Sequence, residues 1–198
     1  MNVKRACIFI LALVFLGLCA LLFVRFLAFH EIRASTSGIV FKDPLFPFLP
    51  IGDFSTLIFS LTYGSLILFV FSWRKIPYAW SKLMMAYGLL LLFRILTLSI
   101  LPLEIPEDLV YLQDPFLNNL MYPGDIKADL FFSGHTGLLL MLFFLSRKWV
   151  YIVMAMILGY VLMVQRVHYS IDIIAALPFA YLIVVLVELI VKKLVRDQ

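Results

Sequence analysis

Long apolar runs alternate with shorter polar segments along the chain, and the runs are too continuous for the one-sided helices of a water-soluble domain. A bilayer core of about 30 Å is crossed by about 20 apolar helical residues, and the backbone groups of such a segment must be satisfied internally. The pattern predicts six spans: Ala6 to Phe29, Phe54 to Trp73, Lys82 to Leu101, Leu130 to Leu145, Trp149 to Val164 and Ile171 to Val191. The fourth and fifth are short. The run that follows Met1-Asn2-Val3-Lys4-Arg5 exceeds the roughly 7 to 15 residues of a signal-peptide core, so it is read as the first span. The expected fold class is therefore all-α: a polytopic membrane protein, a six-transmembrane-helix bundle forming one domain over residues 1–198, with no internal repeat and no soluble appendage.

Composition agrees with this reading. Hydrophobic residues make up 64% of the chain and charged residues 14%, far more apolar than the roughly half-apolar soluble average. The net charge of +4 does not point to nucleic acid, because the basic residues sit in short clusters between apolar runs. In a six-helix arrangement Lys4, Arg5, Arg74, Lys75, Lys82, Arg147, Lys148, Lys192, Lys193 and Arg196 fall on one side. The other side receives Arg33, Lys42, Lys127 and Arg166, together with Glu104, Glu107, Asp108, Asp114, Asp125 and Asp129. The positive-inside rule makes the first side cytoplasmic and puts both termini there. Cys7 and Cys19 lie within the first apolar run without C-x-x-C spacing and are read as packing residues.

Two long connections, Phe29 to Asp53 and Pro102 to Asp129, hold seven of the nine prolines and are expected on the non-cytoplasmic side. Loops of that length are usually functional covers, whereas the cytoplasmic connections are short.

Candidate chemistry gathers on the same side. Asp129-Leu130-Phe131-Phe132-Ser133-Gly134-His135-Thr136 opens the fourth span, where the small pair Ser133-Gly134 lets backbone amides approach an anion at a helix N-terminus. Arg166-Val167-His168-Tyr169-Ser170-Ile171-Asp172 opens the sixth, and the four-residue spacing of His168 and Asp172 lets the carboxylate fix the imidazole tautomer. From His135 the chain crosses, turns at Ser146-Arg147-Lys148 and crosses back, so both histidines are expected at similar depth on one side. Two imidazoles, a carboxylate and Arg166 suit phosphoryl or phosphodiester transfer. One histidine attacks phosphorus, the other protonates the leaving oxygen, and the arginine neutralises the equatorial oxygens.

Each residue has a plainer reading. An isolated His135 would be an interfacial hydrogen-bonding residue, Asp129 an N-cap of the fourth helix, and Arg166 a marker of the membrane boundary. Arg94, about 10 Å inside the third span, is too deep to be left unpaired and is read as a phosphate ligand or the partner of an aspartate. His30 is read as an interface residue, and Glu188 with Lys192 as a structural ion pair four residues apart.

These motifs resemble those of the type 2 phosphatidic acid phosphatase superfamily, and within it the sphingomyelin synthase and inositol phosphorylceramide synthase branch. The Asp129 to Thr136 stretch resembles that branch's third motif, and His168-Tyr169-Ser170-Ile171-Asp172 its fourth, H-Y-[TS]-x-D. Arg94-Ile95-Leu96-Thr97, leading to Leu101-Pro102 and Pro106, is similar to the second, and Asp43-Pro44-Leu45 is faintly similar to the first. The similarity covers roughly Arg94 to Tyr181. It departs at Lys127-Ala128, where the family usually has Cys-Gly, and the lysine-and-arginine first motif of ordinary phosphatases is absent.

The resemblance implies His168 as nucleophile, Asp172 as its partner and His135 as proton donor. Asp129, Ser133, Gly134, Arg94 and Arg166 would bind or support the substrate phosphate. The function expected is transfer of a phosphate-containing head group from a phospholipid to a lipid alcohol such as ceramide or diacylglycerol, with an active site on the non-cytoplasmic face. Two alternatives stand beside it: a lipid phosphate phosphatase or phospholipase C-like hydrolase with the same site, and a non-enzymatic lipid-binding or transport protein. Neither a cofactor nor a metal is implied, nucleic acid is not a partner, and the sequence specifies no oligomeric state.

Overall fold

The computed structural model of the chain describes residues 3–72, 76, 78–113 and 127–196. Trp73, Arg74, Lys75, Asp114 and Asp125, used above for span ends and charge placement, lie outside the described residues.

Six α-helices are present among them: α1 (Val3–Ser37), α2 (Ser55–Ser72), α3 (Ala79–Ile100), α4 (Gly134–Ser146), α5 (Val150–Val164) and α6 (Ser170–Arg196). A short 3-10 turn, Phe46–Phe48, lies between α1 and α2, and an isolated bridge joins Ile39 to Leu103. No strand is found among the described residues. The helices α1, α3 and α6 are long and apolar enough to cross a membrane, whereas α2, α4 and α5 are shorter apolar helices.

The shortest helix is the innermost. Contacts with α2, α3, α5 and α6 surround α4, while α1 packs along α3. Leu139, Met141 and Leu142 of α4 are fully buried, and deleting a side chain of that kind ordinarily costs about 2–5 kcal/mol. Large apolar side chains also cover the outside: Leu18 and Leu22 of α1, Met156 of α5, and Ile174 and Leu189 of α6 are exposed. Buried polar groups and an apolar exterior are the arrangement expected in lipid rather than in water.

Tertiary partners move two helix ends from their expected places. The first helix continues past Phe29 to Ser37, because its polar last turns have partners elsewhere in the fold: Glu31 accepts from the Ala128 amide at 2.9 Å and Arg33 Nη1 donates to the Ser99 carbonyl at 3.1 Å. The fourth helix starts at Gly134, not Leu130, because the carbonyls of Asp129 and Phe131 accept from Arg94 (3.1 Å) and Thr97 (3.1 Å) instead of entering a helical ladder. Ser133 is accordingly its N-cap, accepting from the Thr136 amide at 3.3 Å, so the capping reading of Asp129 is corrected. At the far end of the bundle Glu188 pairs with Lys82 of α3 at 2.7 Å, which replaces the expected pairing with Lys192.

The two long connections are tied together. Ile39 N donates to the Pro102 carbonyl at 2.7 Å and Glu104 N to the Ile39 carbonyl at 2.9 Å. Beneath this bridge Leu103, Leu130 and Tyr169 form a small apolar cluster with Phe41 and Phe46. The cluster covers the bundle end at which α4 and α6 begin.

Candidate active site

Because α4 and α5 form a hairpin, the starts of α4 and α6 lie at the same end of the bundle, and a main-chain bond joins them. Ser133 N donates to the Asp172 carbonyl at 3.1 Å. His168 stands two residues before α6, buried, with Nδ1 3.3 Å from Asp172 Oδ2. The same carboxylate oxygen accepts from the Tyr169 amide at 2.9 Å, which holds it in place beneath the ring. An ionised Asp172 accepts only, so the hydrogen of the neutral ring is assigned to Nδ1 and the lone pair to Nε2. As a carboxylate in the first turn, Asp172 also lies where a helix favours negative charge.

His135 occupies the second position of α4, half-buried, its ring edge-on to Phe59 at 5.9 Å between centroids. Its imidazole is within electrostatic range of His168, Arg94 and Asp129. The two histidines, the carboxylate and one arginine thus share one end of the bundle.

Arg94 is buried, its guanidinium paired through Nη2 with the Asp129 carboxylate and carbonyl and standing 5.3 Å from the centre of the Phe23 ring. A Cβ placed on Gly134 would overlap the Arg94 guanidinium, so glycine is the residue that lets the arginine lie against the start of α4. Arg94 Nε and Thr136 Oγ1 are buried with no hydrogen-bond partner among the described residues, leaving donors for an oxyanion at a helix N-terminus.

Arg166 is used differently. Its Nη2 donates to the carbonyls of Phe46 (2.8 Å) and Leu49 (3.0 Å), its Nη1 to Met163 (3.4 Å), and its guanidinium lies 4.1 Å above the Phe46 ring. In this arrangement it straps the first long connection to the site instead of joining Arg94.

No protein-family model matches the chain, and a comparison with curated protein sequences finds no match. Among the described residues no group of three or more His, Cys, Asp or Glu side chains is arranged to hold a metal ion.

Several contributors have little or no signature in the sequence. Asp43 accepts from the Leu45 amide at 2.8 Å and from the Ser170 amide, capping α6 from the first long connection. Gln165, fully buried, accepts from Phe54 N at 2.8 Å, donates to Ser55 Oγ at 2.9 Å, and accepts from Val110 N through its carbonyl at 3.0 Å. A glutamine between an apolar helix and a histidine motif is costly to bury unless bonded, and that was the available signal. His30 is buried and stacked on Phe26 at 5.3 Å, and no motif marked it. Burial, reinforced by the carboxylates of Asp172, Glu104, Asp43 and Glu107, pushes the Tyr169 phenol up to about 12. It therefore stays protonated at neutral pH and keeps donating to the Glu104 carbonyl at 2.9 Å.

Proposed function

We propose that the chain is a membrane-embedded lipid phosphotransferase with a histidine nucleophile, belonging with the sphingomyelin synthase-like branch of the type 2 phosphatidic acid phosphatases. The observation that carries the reading is the His168–Asp172 pair at 3.3 Å, joined through the Ser133–Asp172 main-chain bond to the helix that bears His135. The bundle spans the membrane six times with both termini cytoplasmic, and the histidine end faces the non-cytoplasmic side.

In the first half-reaction His168 Nε2 attacks phosphorus of a phospholipid, forming a P–N bond as the P–O bond to the lipid alcohol breaks. The departing oxygen takes a proton from His135. In the second, a lipid hydroxyl gives its proton to His135 and attacks phosphorus, breaking the P–N bond and restoring His168. Arg94 and the amides at the start of α4 stabilise the equatorial oxygens, and Asp172 holds the His168 ring throughout.

The test is a phospholipid labelled in its head group, given to purified protein with and without ceramide or diacylglycerol. Label in a new lipid that depends on the acceptor supports transfer. Label released as soluble phosphate or phosphoalcohol makes the protein a hydrolase. No turnover in either case, together with lipid binding that survives His168→Ala, overturns both enzymatic readings in favour of a lipid-binding or transport protein.

A further inference from the structure

The opposite end of the bundle holds a second feature. Between the start of α3 and the end of α6 lies a cavity of about 300 Å³ lined by Tyr78, Lys82, Glu188, Leu189, Lys192 and Val195. The start of α1 lies beside it: Lys4 Nζ donates to the Val195 carbonyl at 2.7 Å, and the Arg5 guanidinium stands 5.4 Å from the centre of the Tyr78 ring. Lys82 is buried and already neutralised by Glu188 at 2.7 Å, which leaves Arg5 and Lys192 as the cations beside the cavity; among the described residues Glu188 is the carboxylate that lines it. Arg5 and Lys192 are exposed, and so is Leu189 on the apolar outer surface of α6.

An occupant must match both halves of this surface. A soluble phosphate would use the cations but not the apolar wall of Leu189, Val195 and the Tyr78 ring, and a neutral lipid would use the wall but not the cations. We propose that the cavity binds the head group of an anionic phospholipid from the adjoining leaflet, with Arg5 and Lys192 on the phosphate and Leu189 and Val195 along the first acyl carbons. The site is separate from the histidines and independent of the reaction proposed for them.

Protein in nanodiscs of phosphatidylcholine with a minor fraction of phosphatidylglycerol is the preparation to use, with co-purified lipid counted by native mass spectrometry. Phosphatidylglycerol is expected to be retained in preference to phosphatidylcholine. The double variant Arg5→Glu/Lys192→Glu should weaken that retention about tenfold or more, since each basic residue near an anionic surface counts for about 1 kcal/mol. Its melting temperature in pure phosphatidylcholine should match the wild type, which separates lost binding from lost folding. Glycerol phosphate at equal concentration should not compete. His168→Ala should leave retention unchanged, and its failure to do so would mean that the lipid sits at the histidine end, overturning the proposal. Equal retention of the two lipids, retention that survives the double variant, or competition by glycerol phosphate would each overturn it as well.

Discussion

Ser133 and Asp172 are joined through their main chains, amide to carbonyl, at 3.1 Å. The spacing between the starts of α4 and α6 is thus set by backbone and does not depend on the side chain that Asp172 offers to His168. Orientation of the ring and convergence of the two helices are separable functions of one residue.

That separation predicts the behaviour of Asp172→Asn. The amide keeps the shape and the backbone bond, so folding should survive with little change in melting temperature. The Tyr169 amide keeps the asparagine oxygen in the place of Oδ2, so on the proposed mechanism His168 Nδ1 donates to a neutral acceptor that no longer stabilises the positive charge developing on the ring as Nε2 attacks phosphorus. Turnover should fall by about 10²- to 10⁴-fold with KM little changed. Steady-state kinetics on the labelled phospholipid check this, and near-normal kcat would remove Asp172 from the mechanism.

On the proposed mechanism the two histidines differ in how they depend on the leaving group. A nucleophile is needed whatever departs, whereas a proton donor matters only when the departing oxygen is basic. His135→Ala should therefore lose about 10²- to 10⁴-fold in the first half-reaction on a lipid ester but recover much of that in the single-turnover release of nitrophenolate from a nitrophenyl phosphodiester analogue, which leaves unprotonated. His168→Ala should stay inactive on both. Equal losses on the two substrates for His135→Ala would assign it another role.

The fold was legible in the sequence where periodicity and length speak, and less so where tertiary partners decide. All six helices fall near the predicted runs, but the polar last turns of α1 exist because Glu31 and Arg33 find partners 60 or more residues away, at Ala128 and Ser99. The start of α4 moved to Gly134 because Arg94 and Thr97 take the carbonyls that would have entered the helix. At the site, the pairing of His168 with Asp172 was expected from helical spacing, but His168 precedes α6 and the two meet where the first-turn carboxylate accepts from the Tyr169 amide beside the ring. Arg94 pairs with Asp129, a partnership that no local pattern specifies. Arg166 lies next to the motif in sequence, yet its guanidinium points to the loop carbonyls of Phe46 and Leu49, a partnership set by where the first long connection folds back.

Gly134 provides a test of the arginine. Gly134→Ala adds one carbon where the Arg94 guanidinium lies, so the arginine must shift away from the helix start. Alanine is otherwise a good residue in the first turn of a helix, so stability should change little. The expected effect is a loss of about 10- to 100-fold in kcat/KM. Asp129→Ala acts on the same arginine in another way: it strips a buried cation of its partner and should cost roughly 1–3 kcal/mol in thermal unfolding. If Gly134→Ala is fully active, Arg94 is a structural ion-pair member and does not contact substrate.

Gln165 tests whether the cover keeps water from the intermediate. Its side chain holds the entry to α2 at Phe54 and Ser55, and its carbonyl holds Val110 of the second long connection, so one residue fastens two cover segments to the end of α5. Gln165→Leu keeps the volume and the carbonyl but leaves the Phe54 amide without its acceptor, a loss of about 1–3 kcal/mol confined to the cover. On the proposed mechanism a phosphohistidine at His168 would be open to attack by any hydroxyl that reaches it, and exclusion of water would make the lipid alcohol the preferred acceptor. The variant should therefore retain total phospholipid cleavage within a few-fold while the ratio of soluble to lipid-bound label rises. A fall in cleavage with an unchanged ratio would show instead that Gln165 sets substrate entry and that water is excluded by something other than the cover.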